Sequence, residues 1–87
     1  MPRVGQVRRR DSVEREIVEG LRRYGCTVFQ HSGPGVPDLT VGYRGKWTPM
    51  EVKSEDGRLT VYQVKTLTGV PLVYSLVEAL DLVRGLK

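Results

Sequence analysis

The sequence is short of several things at once. It has one cysteine, Cys26, so no disulfide can form within the chain, which fits a reducing compartment. It has one histidine, His31, and no second His or Cys pairs with it to make a zinc site. No apolar run approaches the ~20 residues that a spanning helix needs, so no membrane partner is expected. Arg3, Arg8, Arg9 and Arg10 crowd the N-terminal stretch without an apolar segment behind them, so it does not read as a signal peptide. There is no internal repeat and no low-complexity tract. The expectation from these absences is a soluble intracellular protein.

What is present bounds the class further. The 87 residues allow one domain at most, and 39% hydrophobic content fits a globular one. Below roughly 70–80 residues a single core usually needs staples, so a homodimer sharing core between subunits is expected for a chain just above that size. Fourteen basic residues against ten acidic give a net charge of +4 and a pI near 9.6. That balance suits a polyanion, because each neutralised phosphate releases counterions, although charge also serves solubility alone.

Along the chain, residues 1–10 read as a flexible basic arm and 11–87 as the single domain. Asp11 with Glu14 three residues on has the form of a capping box. Val13, Ile17, Val18, Leu21 and Tyr24 recur at helical spacing, and Gly25 stops the helix. Arg15, Glu19, Arg22 and Arg23 fall mostly on its wet face. Three strands are expected over 27–30, 38–43 and 47–53. A glycine- and proline-rich loop separates the first two, and an Arg44-Gly45-Lys46 hairpin turn the last two. A polar turn at 55–58 precedes a short helix over 60–68, capped by Thr60 with Gln63. A fourth strand at 72–74 and a last helix opened by Ser75 and Glu78 follow, with Leu76, Leu80 and Val83 inward. The order αβββαβα predicts an α/β domain with a mixed sheet.

Asp38, Glu51 and Lys53 carry the chemistry. Residues two apart on a strand share a face, so Glu51 and Lys53 project together, opposite Met50 and Val52. Asp38 starts the neighbouring strand, and folding the hairpin brings it beside Glu51. Two carboxylates and one ammonium at a sheet end suit phosphodiester hydrolysis. Hard oxygens hold Mg²⁺ or Mn²⁺, and the ion activates water and offsets phosphoryl charge. A lysine orients water or stabilises the transition state, and it relieves the repulsion between the acids. Glu and Lys alternating on a strand are also often just a solvated face. The rigid Gly35-Val36-Pro37 turn before Asp38, and the apolar Leu39, Val41, Met50 and Val52 around the acids, favour the catalytic reading. Pro49 is awkward in a strand because it cannot donate to the ladder; it predicts an edge, a bulge or a later strand start.

Pro37-Asp38, twelve intervening residues and Glu51-Val52-Lys53 form the pattern of the PD-(D/E)XK nuclease superfamily. Adding Glu14-Arg15-Glu16-Ile17 on the first helix, Gly35 before Pro37 and Gln63 after the lysine, the chain resembles the VRR-NUC family from about Glu14 to Tyr74. Its small stand-alone phage and bacterial members are the most similar. It is also similar to archaeal Holliday junction resolvases. The resemblance implies a restriction-endonuclease-like αβββαβ core, a mixed sheet flanked by helices, here with an extra C-terminal helix. It implies that Asp38 and Glu51 bind metal with the Val52 carbonyl, that Lys53 is the catalytic lysine, and that Glu14 completes the metal site through water. Gln63 would help position lysine, water or phosphate. For Glu14 and Gln63 a helix-capping role competes with catalysis. Glu16 points about 200° away from Glu14, so only one of them can face the site.

The activity implied is metal-dependent endonucleolytic hydrolysis of branched DNA such as Holliday junctions. It would leave 5′-phosphate and 3′-hydroxyl ends and be carried out by a homodimer in the cytoplasm of a bacterium or phage-infected cell. No small-molecule substrate is expected. Flaps or duplex ends are alternative substrates, and a non-catalytic DNA-binding module is the alternative class. Arg8, Arg9 and Arg10 are expected to meet phosphate. Ser32 and Gly33, with Gly35, either let the backbone approach DNA or simply make a turn. His31 could touch phosphate or be merely exposed. For Tyr43 and Trp47, packing or dimer contact is favoured over base stacking.

Overall fold

The computed structural model describes residues 10–53 and 69–85. Arg8, Arg9, Gln63 and the helix expected over 60–68 lie outside the described residues, as does the side chain of Arg10.

Helix α1 runs Arg10–Tyr24 and buries Val13, Ile17, Val18 and Leu21, the apolar stripe read from the sequence. Tyr24 instead stays exposed against Tyr43, ring centroids 5.5 Å apart. The helix starts two residues earlier than an Asp11 cap implies. Arg10 therefore belongs to α1 rather than to the arm, and Asp11 sits in the first turn rather than at the cap. The C-terminus closes as a Schellman motif. Cys26 N–H donates to Leu21 O at 2.9 Å and Gly25 N–H to Arg22 O at 3.1 Å, with Gly25 at φ +113.

Strands β1 (Thr27–Gln30), β2 (Leu39–Tyr43), β3 (Lys46–Val52) and β4 (Leu72–Val73) form one sheet in the order β1-β2-β3-β4. The first two pairings are antiparallel and β3–β4 is parallel, so the sheet is mixed. Arg44 (φ 52) and Gly45 (φ 80) alone make the β2–β3 turn, and Lys46 already pairs with Tyr43. Two positive φ values match the primed turns that follow strand twist. Pro49 stands opposite Thr40 inside β3. The N–H groups of Glu51 and Lys53 point to Pro71 O and Val73 O, so the Pro49 nitrogen faces the same side. β4 pairs only from Glu51 onward, and the missing N–H therefore breaks no ladder bond.

Helix α2 (Leu76–Val83) is capped as expected. Ser75 Oγ accepts from Glu78 N–H at 3.2 Å, while Glu78 Oε1 accepts from Tyr74 N–H at 2.7 Å. Leu76 packs so close to Gly20 of α1 that a Cβ there would overlap its side chain. Both helices share one core with Val28, Leu39, Val41, Met50 and Val52, so both lie on the same face of the sheet. The result is an α/β domain with a four-stranded mixed sheet and two helices among the described residues. Neither helix is long and apolar enough to cross a membrane.

Candidate active site at one end of the sheet

Extending the strand register by one residue past β1 and β2 aligns His31 with Asp38, and Asp38 with Glu51. The backbone supports the first pairing, because His31 N–H donates to Asp38 O at 2.9 Å. By alternation this row belongs to the sheet face opposite the helices, since the next row, Gln30–Leu39–Met50, contributes Leu39 and Met50 to the core.

Asp38 is half-buried just before β2, after the Gly35-Val36-Pro37 turn. Its Oδ2 accepts from Val52 N–H at 2.9 Å. The side chain thus satisfies a β3 donor where β2 has ended, and that bond fixes the carboxylate beside Glu51. Glu51 (3% exposed) and Lys53 (8%) are the buried charged residues among those described. Lys53 Nζ lies 3.7 Å from Glu51 Oε2. Burial, and next the charge of Asp38, push the Glu51 carboxyl above the usual carboxylate range, against the opposing pull of Lys53 and of the Asp38 backbone N–H.

The structure therefore brings Asp38, Glu51 and Lys53 together. Glu14 is held elsewhere: its Oε2 accepts from Gln30 Nε2 at 3.1 Å, on the helix side of the sheet. It shares a groove along α1 with Arg15, Glu19, Arg22 and Gln30, and Asp38, Glu51 and Lys53 do not line that groove. Among the described residues no three His, Cys, Asp or Glu side chains stand together as a cation cage. Ser32 and Gly33 are exposed in the β1–β2 loop, Gly33 at φ +106 with open space around its Cα. His31 is exposed, with Nε2 hydrogen-bonded to Thr40 Oγ1 at 2.7 Å. Its place in the acid row was not read from the sequence. The signal existed only in the β1–β2 register, which the intervening loop leaves open.

Chemically, two neighbouring carboxylates and an ammonium can hold a hard cation, accept a proton from water, or offset charge on a phosphate oxygen. Comparison with protein-family models, curated proteins and solved structures finds no match to any of them.

Proposed function

We propose that this chain is a metal-dependent, structure-specific DNA endonuclease of the PD-(D/E)XK type, cutting branched DNA such as Holliday junctions. One observation carries the reading: Glu51 and Lys53 are buried together beside Asp38. Burying ionised groups costs several kcal/mol each by general estimate, and a chain under selection for stability alone does better with apolar residues there. Charges kept in such a place mark a candidate for chemistry. The VRR-NUC resemblance and the order α1β1β2β3 followed by a parallel β4 support a restriction-endonuclease-like core.

The donor set fits Mg²⁺ or Mn²⁺. Both carboxylates are hard oxygen ligands; burial first and then the charge of Asp38 raise Glu51, and a dication would relieve the repulsion between the two acids. Asp38, Glu51 and the Val52 carbonyl would hold the ion. Once bound, it lowers the pKa of a coordinated water and neutralises charge developing on the phosphate. The chain's own residues prepare this. Val52 N–H holds the Asp38 carboxylate in place. Lys53 sets a positive charge 3.7 Å from Glu51, where it can also meet a phosphate oxygen or the attacking water. Glu14 is assigned no direct ligand role. A homodimer would set two such sites across a two-fold junction.

The test uses labelled four-way junctions, flaps and linear duplex with Mg²⁺, Mn²⁺ or EDTA. Asp38→Ala is expected to lose at least about 10²–10³-fold in cutting rate, the scale for removing one preorganised electrostatic group. Equal cutting by wild type and variant would sink the assignment. Cutting of linear duplex as fast as junctions would remove the branch preference alone. Binding that is indifferent to EDTA, with no cutting, would identify a non-catalytic module.

A further inference from the structure

The sheet face that carries the acid row also carries an exposed pair of aromatic rings. Phe29 (54% exposed) and Trp47 (52%) stack with centroids 5.7 Å apart and planes only 13° from parallel. Trp47 lies opposite Gly42, and a Cβ on Gly42 would meet the indole at 2.7 Å. Glycine at that position therefore lets the ring lie down on the sheet. The absence of a side chain there builds a platform, with an aromatic surface left in water.

Its position connects it to the site. Phe29 is two residues before His31 on β1, and Trp47 is four residues before Glu51 on β3. All share the face opposite the helices. At about 3.3 Å per strand residue the Trp47 position lies about 13 Å from the Glu51 position. Stacked DNA crosses that distance in about four nucleotides at 3.4 Å each. The His31–Thr40 hydrogen bond joins platform and acids, because Thr40 pairs with Phe29 and His31 stands in the acid row.

We infer that Phe29 and Trp47 form a stacking platform for unpaired DNA bases. This inference rests on the nuclease reading and narrows its substrate, because branches with a single-stranded segment next to the bond cut, such as flaps, are then preferred over fully paired four-way junctions. The occupant follows from the chemistry available. The chain is basic overall, the platform is continuous with a site suited to phosphodiesters, and bases stack on aromatic faces regardless of sequence. An intact duplex hides its bases inside the stack and cannot use the platform. The rival occupant is a second copy of the chain.

Trp47 is the sole tryptophan, so its fluorescence reports the platform directly. Wild-type protein in EDTA is titrated with an oligothymidylate and with blunt duplex of equal length. Saturable quenching by the oligothymidylate, at least tenfold tighter than by duplex, is expected. Phe29→Ala and Trp47→Ala, checked for folding by circular dichroism and read by anisotropy of a labelled oligothymidylate, should bind about tenfold or more weakly, the scale of one lost stack. Trp47→Phe should restore most of the affinity. Absent quenching, or equal quenching by duplex, overturns the inference. So does a dimer in sedimentation that the alanine variants dissolve while their DNA affinity stays unchanged, which would assign the platform to self-association. Because binding is read without metal, intact stacking with no metal-dependent cutting refutes the nuclease reading alone, and cutting without stacking refutes the platform alone.

Discussion

Glu51 is held above the usual carboxylate range first by burial and then by the Asp38 charge. An acid whose folded pKa exceeds its unfolded one binds more protons when folded. Its contribution to stability is greatest below the unfolded value and is lost as pH rises through the window up to the folded value. Above that window the ionised Glu51 is thus a net cost to the fold. Glu51→Gln, which keeps the volume and drops the charge, is expected to melt higher than wild type at pH 7 in EDTA. The gain should shrink as pH falls through the raised window toward the ordinary carboxylate range. Added Mg²⁺ should raise the melting temperature of wild type but not of Glu51→Gln, since a ligand stabilises only the state that binds it. Calorimetry across pH checks both, and a variant melting lower than wild type at pH 7 would contradict the sign. Cys26, the lone thiol, is buried and raised by that burial, so it has the character of an inert core residue.

Among the elements, helix ends and the tight hairpin were the most legible features. Gly25 after an apolar-periodic run and Ser75 followed by Glu78 carry their geometry in local chemistry. The Gly25 turn and the Ser75 cap appear with the expected hydrogen bonds, while the Glu78 carboxylate takes the N–H of Tyr74 in place of that of Ser75. The Asp11–Glu14 box had the same form, but α1 begins at Arg10, and Glu14 reaches Gln30 across to β1 instead. A capping motif names residues able to cap; a tertiary partner decides what they do. Gly25→Ala tests the helix end. An alanine forced to φ +113 should cost about 1–2 kcal/mol, the left-handed penalty for an L-residue, measurable as a lower urea midpoint with unchanged slope. A midpoint equal to wild type would mean that the turn relaxes.

At the scale of the fold, the decisive asymmetry among the described residues is that both helices cover one sheet face. Ile17, Leu21, Leu39, Met50, Val41, Val52 and Val73 are the largest fully buried side chains among the described residues. Leu39 sits at the junction of core and site, one residue after Asp38. Leu39→Ala should cost about 2–5 kcal/mol by the usual cavity scale. A domain of this length has roughly 4–13 kcal/mol in total at 0.05–0.15 per residue. Urea melts should therefore show a loss large enough to leave the variant partly unfolded near 37 °C. A loss below about 1 kcal/mol would show that the helices collapse into the space.

The sequence by itself determined the period of α1, the strand pair with its turn, and the placing of Glu51 and Lys53 on one side of β3. These follow from repeats of 3.6 and 2 residues and from local turn chemistry. Only the tertiary structure decided the register across three strands, because a loop of eight residues between β1 and β2 fixes no pairing. That register places His31 in the row of Asp38 and Glu51. It also sets Glu14 beside Gln30 on the helix side, and it leaves Phe29 and Trp47 stacked in the open on the acids' face. Which charged residues become buried was likewise settled by packing, since burial depends on what covers a face and not on the residue's own place in the chain.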